Sequence, residues 1–127
     1  MREYIQTKHA PAAIGPYSQG IKSEIGKIIF CSGQIPLDPE SGKIIGQLTA
    51  EQAEQCLKNI QAILVAGGAD LKDVIKVTIY IINMADFQSV NEIYAKYFTT
   101  FLPARAVVEV SRLPKDVKIM IDATAVI

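Results

Sequence analysis

The sequence predicts an α+β fold, a mixed or antiparallel β-sheet with two helices packed on one face. Three observations lead there. Apolar residues recur with a period of two at 74–82, 104–110 and 117–126, as half-buried strands require, and 27–32 reads as a further strand. Two stretches, after Thr49 and after Asp86, instead space their apolar residues by three and four, as amphipathic helices do. The order strand, paired strands, helix, strand, helix, two strands suits a layer of helices on a layer of sheet. At 127 residues the chain is one domain, 1–127, long enough to bury a core without staples.

Residues 3–7 are expected to form a short first strand. Next comes an irregular loop, Ala10-Pro11-Ala12-Ala13-Ile14-Gly15-Pro16-Tyr17-Ser18-Gln19-Gly20, stiffened by two prolines. Its Tyr17, Ser18 and Gln19 suit a pocket wall as well as a packed surface loop; His9, just before it, receives no role. Ile21–Glu24 and Lys27–Ser32 read as a hairpin turning near Ile25-Gly26. The second of these strands leaves through Ser32-Gly33-Gln34-Ile35-Pro36, where Gly33 permits a close backbone approach. Residues 37–48 form a turn-rich loop.

Thr49-Ala50-Glu51-Gln52 has the form of a capping box, with Thr49 as cap and Gln52 reaching back. The helix it opens carries Ala53, Cys56, Leu57, Ile60, Ile63 and Leu64 on one stripe and ends at Gly67-Gly68. In the strand 74–82, Ile75, Val77, Ile79 and Ile81 share one face. Asp86 is expected to cap a second helix whose stripe is Phe87, Val90, Tyr94, Tyr97, Phe98 and Phe101, an aromatic row assigned to the core. The last strand, 117–126, puts Val117, Ile119, Ile121, Ala123 and Ala125 on one face, and Lys118, Met120, Asp122 and Thr124 on the other.

The second faces of these strands mix apolar and polar residues: Val74, Tyr80 and Ile82 beside Lys76 and Thr78, Val107 beside Arg105, Met120 beside Asp122. Such faces are too apolar for water and too polar for a monomer core, which predicts burial against other subunits.

Thirteen basic and thirteen acidic residues cancel, with no basic run or acidic tail. Nucleic acid and membrane surfaces are therefore not favoured partners. No apolar stretch is long enough to span a bilayer and the N-terminus lacks a signal core, so a cytoplasmic protein is expected. Cys31 and Cys56 are expected as buried free thiols, and a single histidine makes a zinc site improbable. No phosphate-loop or dinucleotide fingerprint occurs, and neither a cofactor nor a metal is expected.

The stretch with the most chemistry is Pro103-Ala104-Arg105-Ala106-Val107-Val108-Glu109-Val110. A proline sets an arginine at the mouth of an alternating strand, with Arg105, Val107 and Glu109 on one side. A guanidinium so placed is a fixed fork for a carboxylate or phosphate, although a surface ion pair has the same spacing.

Five motifs in register resemble the RidA/YjgF family of reactive-intermediate deaminases: 10–20, Ser32-Gly33-Gln34-Ile35-Pro36, Val90-Asn91-Glu92-Ile93-Tyr94, Pro103-Ala104-Arg105, and 108–117. The resemblance runs from near residue 7 to the C-terminus. It implies a chorismate-mutase-like fold and a homotrimer whose sheets form a central barrel with clefts between subunits. The implied activity is hydrolysis of small 2-imino acids, 2-iminopropanoate and 2-iminobutanoate, to 2-keto acids and ammonia. By residue, Arg105 matches the carboxylate-binding arginine and Gly33 the residue whose backbone N–H helps hold that carboxylate. Tyr17 matches a cleft-lining tyrosine, and Asn91 a recurring cleft residue.

Two positions depart from the family pattern. Met120 stands where a glutamate is common, and Val107 where a cysteine is common. The first removes the group credited with activating water, so no residue is assigned as the catalytic acid or base. Asp122 is two residues away on Met120's face, about 7 Å along the strand, too far for a direct swap; Glu109 is no nearer. Imine hydrolysis is easy enough that positioning alone supplies much of the rate. The rival readings are a non-catalytic trimer that binds small carboxylates, and the ribonuclease or translation-inhibiting role described for some relatives.

Overall fold

The computed structural model describes residues 2–127. Its main sheet has four strands: β3 (Ile28–Gln34), β4 (Val74–Ile81), β5 (Ala104–Glu109) and β6 (Ile119–Val126), in the order β3-β6-β4-β5. Two further strands, β1 (Glu3–Ile5) and β2 (Gly20–Lys22), pair antiparallel in a small separate ribbon. Helices α1 (Thr49–Ala66) and α2 (Phe87–Tyr97) pack on one face of the main sheet. The predicted α+β architecture is therefore the one found.

Strand β6 is the centre of this arrangement. It pairs antiparallel with both β3 and β4, and its alternation is complete: Ile119, Ile121, Ala123 and Ala125 are at most 2% exposed and face the helices. Opposite them on β4 lie Val77, Ile79 and Ile81, all fully buried. From α1 come Ala53, Cys56, Leu57, Ile60 and Leu64, and from α2 Val90 and Tyr94. A fully buried Leu or Ile contributes roughly 1.5–3 kcal/mol, so this one continuous cluster is the main source of stability. Strand β5 runs parallel to β4 because α2 carries the chain back across the sheet between them.

Several expectations are corrected. The first strand stops at Ile5 instead of residue 7. The predicted hairpin does not form, since β2 pairs with β1 whereas β3 pairs with β6. Ile75 leaves the core face: Val74 pairs with Ala125 and Lys76 with Thr124, so one extra residue bulges and turns Val74 inward. Ile63 and Phe101 are 37% and 39% exposed, at the edges of their stripes.

The expected cap of α1 does not hold, whereas Asp86 takes the expected N-cap position of α2. Leu48 is the N-cap of α1, and the reach-back belongs to Glu51, whose carboxylate accepts from the backbone N–H groups of Gln47 and Leu48. Thr49 Oγ1 donates to Asp86 Oδ2 at 2.7 Å, which ties α1 to the start of α2. Asp86 is thereby used as a link and makes no side-chain cap bond.

The open face of the sheet carries Ile28 and Phe30 on β3, Met120, Asp122 and Thr124 on β6, Thr78 and Tyr80 on β4, and Val108 on β5. Phe30 is 77% exposed. One further correction matters for function. Arg105 and Val107 pair in register with Val77 and Ile79, which point to the helices. They therefore face the helix side, not the open face; there Val107 packs on the core.

Candidate functional site

Pro103 is buried and immediately precedes β5, which lies at an edge of the sheet. Arg105, second in that strand, turns its half-buried side chain toward α2. There Phe87, Asn91 and Tyr94, spaced four and three residues apart, lie on one helical stripe. Arg105 Nη1 donates to Asn91 Oδ1 at 2.7 Å. The Arg105 Cζ lies 4.7 Å from the Tyr94 ring centroid and 5.3 Å from that of Phe87. The Tyr17 ring completes the enclosure at 5.4 Å.

Tyr17 is placed by its own loop. Its N–H donates to Gly15 O at 2.8 Å, and its hydroxyl accepts from the Ile14 N–H. The next residue fastens the loop to the mouth of β5: Ser18 N–H donates to Pro103 O, and Ser18 Oγ to Leu102 O at 2.5 Å. Gln19 braces the other side, accepting from the Thr7 N–H and donating to the carbonyls of Thr7, Ala10 and Pro11. Gly15 lies beside the guanidinium, where a Cβ would sit in ordinary contact 3.5 Å from Arg105 Nη2. Beyond Tyr17 and Ser18 a cavity of about 820 Å³ opens between β1, the loop and Leu102.

The charge at this site is uncompensated. Among the described residues Arg105 has no ion pair, and its one hydrogen bond is to a neutral amide. Burial pulls its pKa below the ordinary arginine value, yet a guanidinium stays protonated in any working range. Facing rings contribute about 0.5–2 kcal/mol each to holding it. A half-buried, fixed cation without a counter-ion among the described residues can accept an anion on its free edge.

Gly33 and Met120 are neighbours of each other but not of Arg105. Cys31 pairs with Ala123 and Gln34 with Ile121, so one extra residue at Ser32-Gly33 takes the backbone out of regular pairing. A Cβ on Gly33 would come within 2.8 Å of Met120 Sδ, so the thioether lies across the glycine. Met120 in turn stands opposite Tyr80, whose hydroxyl donates to Asp122 Oδ2 at 3.1 Å. Burial, then the nearby Asp122, raises the Tyr80 pKa and keeps it a phenol. Glu109 accepts from the Met84 N–H at 2.8 Å, in the turn that leads into α2.

Of the six candidate residues, Arg105, Tyr17 and Asn91 therefore converge, Val107 lies two residues along the same side of β5, and Gly33 with Met120 forms a second group on the open face. Phe87 and Tyr94 were assigned to the core alone. Their spacing with Asn91 on one helical stripe was the available signal.

The family model described as Endoribonuclease L-PSP matches residues 7–127. The chain belongs to the RidA/YjgF family. It is 54% identical to a RutC family protein of Pyrococcus horikoshii over 98% of both chains. It is 48% identical to the 2-iminobutanoate/2-iminopropanoate deaminase of Salmonella typhimurium, over 99% of this chain and 98% of that one. Among solved structures it resembles Escherichia coli TdcF with bound serine at a TM-score of 0.75 and 43% identity, covering 98% of both chains. RidA from an Antarctic Psychrobacter species matches at a TM-score of 0.77 and 38% identity, over 98% of this chain and 99% of that one. The α+β fold is that of these RidA/YjgF structures. No helix among the described residues is long and apolar enough to cross a membrane.

Proposed function

We propose that this protein hydrolyses small 2-imino acids, such as 2-iminopropanoate and 2-iminobutanoate, to 2-keto acids and ammonia in the cytoplasm. The observation that carries the reading is the fixed Arg105 guanidinium with no counter-ion among the described residues. A substrate carboxylate would take its free edge in a charge-assisted, two-point grip and so orient C2. Water adds to C2 of the protonated imine and loses a proton. The carbinolamine nitrogen takes up a proton, and ammonia leaves as the hydroxyl gives its proton to solvent and the C=O bond forms. Tyr17 and Val107 would line the pocket, and Asn91 would hold the arginine.

Gly33 and Met120 enter through a second copy of the chain. Arg105 lies on β5 and Met120 on β6 with β4 between them and three residues of register offset, so their backbones are about 14 Å apart at ordinary strand spacing and rise, and their side chains leave opposite faces. One small ligand touches both groups only where two subunits meet. A homotrimer packed through the open sheet faces supplies three such clefts and covers Phe30.

The test generates 2-aminocrotonate with a threonine dehydratase and follows 2-ketobutyrate. Wild type should accelerate its appearance, and Arg105→Ala should not. Because methionine neither donates nor accepts a proton, Met120→Glu should raise the rate by about tenfold or more; no gain would show that an acid there does not limit this protein. The Met120 thioether over Gly33 favours a second reading, a trimer that binds small carboxylates without turning them over. Calorimetry with 2-ketobutyrate would then show Arg105-dependent binding with no acceleration. The ribonuclease reading is disfavoured by the neutral charge and the absence of an acid–base pair beside Arg105.

A further inference from the structure

Every group that holds Arg105 is neutral. Phe87, Asn91 and Tyr94 approach from one stripe of α2, and Tyr17 from the loop. A carboxylate in place of the Asn91 amide would grip the guanidinium more tightly, because it adds the attraction of opposite charges to the hydrogen bond. It would also neutralise the cation, and an incoming anion would have to displace an internal one.

The Tyr94 side chain points to the same division of labour. Its hydroxyl is buried and has no hydrogen-bond partner among the described residues, so what it offers Arg105 is the ring face at 4.7 Å. We infer that the Phe87–Asn91–Tyr94 stripe is a neutral cradle that positions Arg105 while leaving its charge to an external carboxylate. The uncharged state of Asn91 thus sets the affinity of the site. Asn91 is on this account a positioning residue that acts through Arg105 and does not touch the ligand. The inference rests on Arg105 as the carboxylate anchor.

The test pairs calorimetry, with 2-ketobutyrate as probe, with thermal melting of the full-length protein. Asn91→Leu removes the hydrogen bond and keeps the site cationic; affinity should fall about threefold to tenfold. Asn91→Asp keeps the hydrogen bond and adds a counter-ion; affinity should fall by about thirtyfold or more. Melting should rank the two variants the other way round, with Asn91→Asp at or above wild type and Asn91→Leu below it. A merely structural role would make affinity and melting fall together in Asn91→Asp as well as in Asn91→Leu, and that result overturns the inference, as does wild-type affinity in Asn91→Asp. Tyr94→Leu should weaken binding more than Tyr94→Phe. Phe87→Leu, at a half-buried position, repeats the ring test without emptying the core; equal loss in Tyr94→Phe and Tyr94→Leu would contradict the assignment to the ring. If wild type binds no 2-ketobutyrate, the anchor reading falls and the cradle with it. If wild type binds and Asn91→Asp binds equally, the cradle alone falls.

Discussion

Arg105 and Cys56 show how one surrounding, a packed helix–sheet layer, treats two residues differently. Arg105 keeps its charge because rings and an amide replace part of its water. Cys56 has only core around it, and burial pushes its thiol from 9.0 up to about 12. Burial likewise raises the pKa of Cys31, with Asp122 adding to the effect. Neither thiol should react with a disulfide reagent at pH 8 until denaturant is added; labelling of the native protein would show that the core opens. The folded chain keeps the Cys56 proton where the unfolded chain loses it. The stabilisation linked to Cys56 is therefore complete below pH 9 and is lost as pH rises toward 12. Urea titrations across that window should show a shallower loss in Cys56→Ala than in wild type, by up to about 1.4 kcal/mol per pH unit.

At the scale of elements, Gln52 joins α1 to two distant segments. Its side chain is 5% exposed, donates to Gly46 O and accepts from the Lys118 N–H at 2.8 Å. Gln52→Ala leaves both backbone groups without their partner and should cost about 2–3 kcal/mol in urea unfolding. Arg112→Ala breaks only the exposed pair with Asp116 and should leave the midpoint where it is. Elements whose patterns are local were legible in the sequence. The alternation of 119–125 and the stripe from Ala53 to Leu64 each state a face, and both faces are buried. Pairing partners were not legible: Ile28 meets Val126 across nearly the whole chain, and no turn signal near Ile25-Gly26 encodes that. Bulges at Ile75 and at Ser32-Gly33 break strict alternation by one residue, which a period-two pattern cannot show. Arg105 was legible from Pro103 and the strand that follows. Its ring neighbours were not, because Phe87 and Tyr94 serve the core and the site with the same side chains.

At the scale of the molecule, the sheet has one finished face and one unfinished face. The helix side buries a continuous core, whereas the other side leaves Phe30 at 77%, Ile28 at 56% and Val108 at 41% exposure. On the proposed assembly these residues meet other copies, and the clefts exist only where they do. Light scattering should report three times the 13.9 kDa chain for wild type. Phe30→Asp, which buries a charge in the interface, should shift the protein to single chains that keep their helical signal and lose both carboxylate binding and turnover. A mutant that stays assembled, or single chains that retain turnover, would contradict a site shared between subunits.

The central claim is that Arg105 holds a carboxylate for hydrolysis at C2, and the direct measurement is the rate of 2-ketobutyrate appearance from freshly generated 2-aminocrotonate. Reactions contain no added protein, wild type or Arg105→Ala, with the dehydratase in excess over neither. Wild type should raise the rate in proportion to its concentration, and Arg105→Ala should match the reaction without it. Equal rates with wild type and Arg105→Ala, whether both fast or both at background, would contradict the account.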